Sequence, residues 1–168
     1  MAYIFRYNSG NNIKEVIDSS NNTDSVIIAT FRLGPKDSGA TKLGNNVTSW
    51  CKSMKINGDE QKSLFDEIFL PSNTFYTIEY TLKDASKISA STFDGCSKLN
   101  IITLPTSIQL IQNDAFKGCT AYIRISNPIP PTIAEDAFAK FGGKVEVPEA
   151  YAEDYTEAWG NVVTIGTY

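Results

Sequence analysis

The stretch GPKDSGATK, Gly34 to Lys42, sets two glycines, Gly34 and Gly39, at the spacing of a phosphate-cradling loop. That loop also requires a lysine directly after the second glycine, to hold the β- and γ-phosphates. Ala40 occupies that position, so the segment reads as a surface turn. The acidic pairs Asp59/Glu60, Asp66/Glu67 and Glu135/Asp136 raise glycosidase and calcium chemistry. A glycosidase places two carboxylates across a cleft from each other, whereas adjacent acids lie side by side on one segment. Calcium wants an Asp-x-Asp-x-Asp-Gly ladder, and none is present. These pairs read as solvated charge.

The chain has no histidine, so Ser-His-Asp and Cys-His pairs are excluded and zinc loses its commonest nitrogen ligand. Cys51, Cys96 and Cys119 have no Cys-x-x-Cys spacing and read as buried reduced thiols, small core hydrophobes. Asn21-Asn22-Thr23 and Asn46-Val47-Thr48 fit the glycosylation pattern but read as turn residues. The expectation is a non-enzymatic protein with no catalytic, cofactor-binding or metal-ligating residues.

Composition points the same way. An apolar share of 42% and an aromatic share of 11% suffice for a packed core. Net charge is −4 and neither half is basic, so nucleic acid is not an expected partner. No apolar run approaches the roughly 18 residues of a membrane span. The start, MAYIFRYNSGNN, lacks a basic segment followed by an apolar one, which reads as a chain made without export.

One phrase recurs. Phe93, Phe116 and Phe138 stand 23 and 22 residues apart; five positions before each is Ile88, Ile111 or Ile133, and three after each is Cys96, Cys119 or Phe141. A short extended run follows each time: Leu99–Leu104, Tyr122–Ile125 and Lys144–Val147. This period lies in the window of leucine-rich coils, whose units bury their inward residues only against neighbours. After Pro148, the stripe Tyr151, Tyr155, Trp159 reads as a short helix over Glu149–Gly160, closing the last coil, with Glu153 and Glu157 facing away and a strand over Val162–Ile165.

At these residues the chain resembles the BspA-like leucine-rich repeat family of Bacteroidetes-type bacteria. ISASTFDGCSKLNIITLP and IQNDAFKGC fit its repeating phrase, and NPIPPTIAEDAFAKFGGKVEVPEAYAEDYTEAW resembles its closing unit. The resemblance runs from about Ile78 to Ile165, with Thr92 in place of the usual alanine and Phe141 in place of the usual cysteine. It implies adhesion or binding at bacterial surfaces, where relatives carry an export signal.

Before the repeat, runs at Tyr3–Tyr7, Ser25–Leu33, Val47–Ile56 and Thr74–Leu82 alternate with turn-rich stretches. DEQKSLFDEIF reads as one short helix burying Leu64, Phe65 and Ile68. The expected fold is mainly β with short helices. A β-rich attachment domain over 1–82, a sandwich or open barrel, precedes a short leucine-rich-repeat solenoid with a C-terminal cap over 83–168. No Pro/Gly linker divides the parts, so they are expected to pack as one rigid body.

Within the repeat strands, alternation turns Ile101, Thr103, Tyr122, Arg124, Lys144 and Glu146 outward, making them the candidate partner-binding face. The leaderless start points to a bacteriophage virion, with the protein as a capsid-decorating or fibre component. It would contact other virion proteins, as a homo-oligomer or as part of a larger assembly. The alternative is a bacterial cell-surface adhesion module, its leader removed, that binds host protein or glycan.

Overall fold

The computed structural model describes residues 25–34, 37, 39–71 and 74–168, together with the backbone of 3–7 and 13–18. In chain order, β1 (Tyr3–Tyr7) and β2 (Ile13–Asp18) form an antiparallel ribbon. Then come β3 (Val26–Leu33), β4 (Ala40–Lys42), the one-turn helix α1 (Val47–Trp50), β5 (Cys51–Ile56), β6 (Asp59–Glu60), β7 (Glu67–Phe69) and β8 (Thr74–Leu82). The repeat supplies β9 (Lys87–Ile88), β10 (Leu99–Thr103), β11 (Leu110–Ile111), β12 (Tyr122–Arg124), β13 (Thr132–Ile133) and β14 (Lys144–Val147). A 3-10 turn over Glu149–Tyr151, the helix α2 (Ala152–Trp159) and β15 (Ile165–Thr167) close the chain.

The chain is mainly β, but its strands are shared differently from the two-part expectation. One eight-stranded sheet runs β15-β14-β12-β10-β3-β8-β5-β6. From β10 to β15 its neighbours are parallel; from β10 through β3 and β8 to β5 and β6 they are antiparallel. Strands of the first half thus prolong the repeat sheet instead of building a sandwich or barrel of their own. Alternation explains the join. Ile27, Ala29, Phe31 and Leu33 on β3 turn to the same buried side as Tyr76, Ile78, Tyr80 and Leu82 on β8. Ala29, opposite both Ile78 and Ile102, leaves room for the larger residues on either side. One hydrophobic cluster runs from Ile27 to Val163, crossing position 82.

Each coil places a strand in this sheet and a second, two-residue strand in the parallel sheet β13-β11-β9. Between the two lies the turn carrying the repeated phenylalanine. Phe93 and Phe116 stack with centroids 5.5 Å apart, and Phe116 and Phe138 at 5.6 Å, with planes inclined by 17° and 9°. Main-chain bonds link the turns: Phe93 N–H donates to Ala115 O at 2.8 Å and Phe116 N–H to Ala137 O at 2.9 Å. Ile88, Ile111, Cys96 and Cys119 are buried, while Ile133 and Phe141 are half-buried.

Both ends of the phenylalanine stack are closed by larger aromatics. On the first side, Trp50 and Tyr80 each lie 5.8 Å from Phe93. On the last, Trp159 lies 5.8 Å from Phe138 and 5.0 Å from Tyr155. Asn45 stands where a preceding coil would: its side-chain amide donates to Ser91 O and Asp94 O, and its backbone N–H to Thr92 O, all at 2.8 Å. At the other end the Trp159 indole N–H reaches Pro131 O, and the Tyr155 hydroxyl reaches Asn127 O, both at 3.0 Å. The closing helix lies as expected, with Tyr155 and Trp159 buried and Glu153 and Glu157 exposed.

Three local expectations need correction. DEQKSLFDEIF is not helical. Asn57 and Gly58, at φ of 49° and 85°, turn β5 into β6 as a two-residue hairpin with Ile56 opposite Asp59. Glu67–Phe69 then pairs antiparallel with β4, while Leu64, Phe65 and Ile68 still pack on the core, half-buried. Val47–Ile56 begins as a helical turn because the Asp66 carboxylate accepts the N–H groups of Val47 and Asn46, at 2.8 and 3.1 Å. The last strand is Ile165–Thr167, since Val163 turns into the core beneath the cap.

The repeat also fixes a backbone position two residues after each phenylalanine. Gly95 (φ 76°), Gly118 (φ 70°) and Lys140 (φ 53°) are all left-handed there. The first two coils use glycine, which tolerates this at no steric cost; the third bears a lysine. Lys140→Gly is expected to stabilise by up to about 1 kcal/mol, relief of left-handed strain outweighing added freedom in the unfolded chain. Gly118→Ala, whose added Cβ meets nothing within 4 Å, should cost about 1 kcal/mol. Urea midpoints of both variants check the pair of signs.

Candidate functional site

The face formed by the repeat strands is ordered by register. Ile101, Tyr122 and Lys144 are directly paired across β10, β12 and β14, as are Thr103, Arg124 and Glu146 one step along. The six residues therefore form two rows on one side of the sheet, while Ile102, Ile123 and Val145 between them are fully buried on the other.

The rows differ in what they offer. Thr103 is 3% exposed, and its hydroxyl has no hydrogen-bond partner among the described residues. It is not a surface residue as expected, because this side of the sheet is covered toward the first half. Its antiparallel neighbour Ile28 and the nearby Thr30 and Thr77 are buried too, and β1 lies against β8. Arg124 donates from Nε to Glu146 Oε1 at 3.1 Å, and its guanidinium lies 5.6 Å from the Tyr168 ring centre. Both side chains are largely covered. The second row is thus closed, by burial at Thr103 and by mutual pairing at Arg124 and Glu146.

The first row remains open. Tyr122 is 48% exposed; Ile101 and Lys144 are half-buried. The Lys144 stem lies across the bare backbone of Gly166, where an added Cβ would come within 2.2 Å of Lys144 Cε. That carries the ammonium toward β15. Lys144 forms no ion pair with any described residue.

Residues singled out for other chemistry have structural roles. The Gly34 N–H donates to the Asp37 carboxylate, which also pairs with Lys98. Lys98, then the Gly34 N–H, hold the Asp37 carboxyl below its ordinary value, placing an anion where a phosphate loop would need to receive one. Asp66 caps α1. Asp59 and Glu60 lie exposed on a hairpin. Glu135 and Asp136 sit side by side on one wall of an open hollow of about 570 Å³, shared with Phe138 and Val162. A second hollow of about 480 Å³ separates two coil corners, Thr106–Gln109 and Asn127–Thr132. Asn46 takes a left-handed turn before α1, and Asn21 lies outside the described residues. Among the described residues no three cysteine or carboxylate groups gather as metal ligands, and no helix is long and apolar enough to cross a membrane.

The three cysteines are free and buried. Burial pushes the Cys51 thiol from 9.0 to about 11 and that of Cys119 from 9.0 to about 12, and raises Cys96 in the same direction. Thiols held protonated in this way are poor nucleophiles. A thiol whose folded value exceeds its unfolded value contributes fully below the unfolded value. That contribution is lost as pH rises through the interval. Stability toward urea should therefore hold up to about pH 9 and fall above it. Cys119→Ala is expected to be less stable at neutral pH yet to show a shallower alkaline fall.

Sequence reasoning missed the unequal worth of the two rows and the sealing of Thr103. Alternation alone assigns sides; it does not say what covers a side. A family model for the BspA type leucine rich repeat region (6 copies) matches residues 62–147. The match starts at Lys62 rather than near Ile78, and stops at Val147, before the closing helix. No curated protein and no solved structure matches the chain.

Proposed function

The chain belongs to the BspA-type leucine-rich repeat family, and from that premise we propose that it is a non-enzymatic recognition protein acting through the Ile101–Tyr122–Lys144 row. Repeats of this type serve as protein-interaction or adhesion modules. The observation that carries the reading is the open row itself: an exposed aromatic ring, an aliphatic side chain and a lysine with no ion pair among the described residues, in register. They stand on strands paired on both sides, so the backbone beneath is held in place before a partner arrives.

Three strands at about 4.8 Å spacing make a face only about 10 Å across. So small a contact binds weakly as a single copy and gains most from repeated display. A surface that carries many copies would supply that repetition. The proposed one is a bacteriophage particle carrying the protein as a capsid-decorating or fibre component, with the bacterial cell surface as the alternative. Mass spectrometry of purified particles and of cell-surface fractions separates the two.

The test of recognition is adhesion of beads coated with the protein to host cells or matrix. Tyr122→Glu should abolish attachment while leaving the urea midpoint within about 0.5 kcal/mol of the parent, as for other exposed changes. Undiminished attachment of that variant would remove the row from the function.

A further inference from the structure

We infer that the Ile101–Tyr122–Lys144 row receives a carboxylated sugar, an inference that rests on this row being the recognition face. The charge distribution is the first reason. The chain carries a net charge of −4, and on this face Arg124 is neutralised by Glu146 at 3.1 Å and lies near the Tyr168 ring. Lys144 has no ion pair with any described residue; it stands in register with the exposed Tyr122, its ammonium one strand further along over β15. A ligand meeting both groups brings a negative charge and a flat apolar face.

The backbone supplies the second reason. β12 is paired with β10 on one side and β14 on the other, so no free main-chain edge lies beneath Tyr122. A peptide docking as an added strand needs such an edge, and a side-chain anchor needs a pocket. The hollows at Glu135/Val162, at Thr106–Thr132 and at Ala90/Ala134 lie among the described residues and are lined by none of these three. An acidic peptide would therefore gain only the contact with Lys144. A pyranose ring presents C–H bonds that pack on the negative face of the tyrosine ring. Its hydroxyls remain in water, and a carboxylate carried beyond the stacked ring toward β15 can meet the ammonium as a charge-assisted pair. Ile101 extends the apolar platform on one side of Tyr122, while on the other the Lys144 stem runs on across Gly166.

Binding to the full chain is measured by calorimetry with four probes: oligogalacturonate, sialyllactose, lactose and polyglutamate. Affinity for at least one of the two acidic sugars should exceed that for lactose and fall at least about tenfold in Tyr122→Ala and in Lys144→Ala. Lys117→Ala, on a turn away from this row, should leave it unchanged, and added salt should weaken it. Which acidic sugar binds distinguishes a uronate source from a sialoside source. Polyglutamate bound as well as the sugars and unaffected by Tyr122→Ala would overturn the inference, leaving charge alone. Absence of binding to either acidic sugar would overturn it too. Loss of adhesion by Tyr122→Glu, together with no acidic-sugar binding, would keep the recognition face and reject the ligand class. Unchanged adhesion and no sugar binding would reject both.

Discussion

Phe116→Ala is expected to lower the free energy of unfolding by about 3–5 kcal/mol, the range for a buried aromatic reduced to a methyl group. The upper part of that range applies because the space cannot close. Phe116 is fully buried and stacked on both sides, against Phe93 at 5.5 Å and Phe138 at 5.6 Å. The coils on either side are tied by main-chain bonds through the same turns, Phe93 N–H to Ala115 O and Phe116 N–H to Ala137 O. Their spacing is therefore set by hydrogen bonds, and neighbouring rings cannot slide inward without breaking them. Glu153→Ala, on the exposed side of α2, should cost less than about 0.5 kcal/mol. Urea denaturation of the two variants, read against the parent, gives the contrast. Equal costs would mean that Phe116 does not stand in a packed column.

The features legible in the sequence were those repeated or strictly alternating. A period of 22 to 23 residues placed Phe93, Phe116 and Phe138 in one column, and no competing local preference disturbs it. Tyr3–Tyr7 and Thr74–Leu82 are strands with the same bounds as their apolar or alternating runs. What escaped was set by distant partners. The Asp66 carboxylate turns Val47 helical from nineteen residues away, and nothing in VTSW itself announces that. At Asp59 a local signal existed: Asn57-Gly58 is the two-residue hairpin pair, and it takes precedence over the helical spacing of Leu64, Phe65 and Ile68. Thr103 shows the limit for the candidate face. Its position correctly gives its side of the sheet, but its burial comes from the first half, which has no period to read. The same non-local pairing, β3 against β10, made a separate sandwich or barrel unnecessary.

That pairing leads to the other large effect: the segment 83–168 should not fold when separated from 1–82. Cutting there strips β10 of its neighbour β3 and uncovers the Phe93 ring, which Trp50 and Tyr80 otherwise close. It also leaves the carbonyls of Ser91, Thr92 and Asp94 without Asn45. An end coil without a cap exposes the apolar wall that its neighbour would have buried. The two tryptophans supply the measurement in the intact chain, since Trp50 lies at one end of the aromatic column and Trp159 at the other. In Trp50→Phe the fluorescence reports the closing helix; in Trp159→Phe it reports the first half. Within each variant, fluorescence from the remaining tryptophan and circular dichroism of the whole chain should give the same urea midpoint, because one core and one sheet cross position 82. If fluorescence and circular dichroism separate, or if a soluble 83–168 fragment keeps its circular dichroism, each half is stable alone and the shared sheet is a docking surface between two domains. Coincident midpoints with an unfolded fragment would make the first half the amino-terminal cap of the repeat, and the recognition row a property of the whole chain.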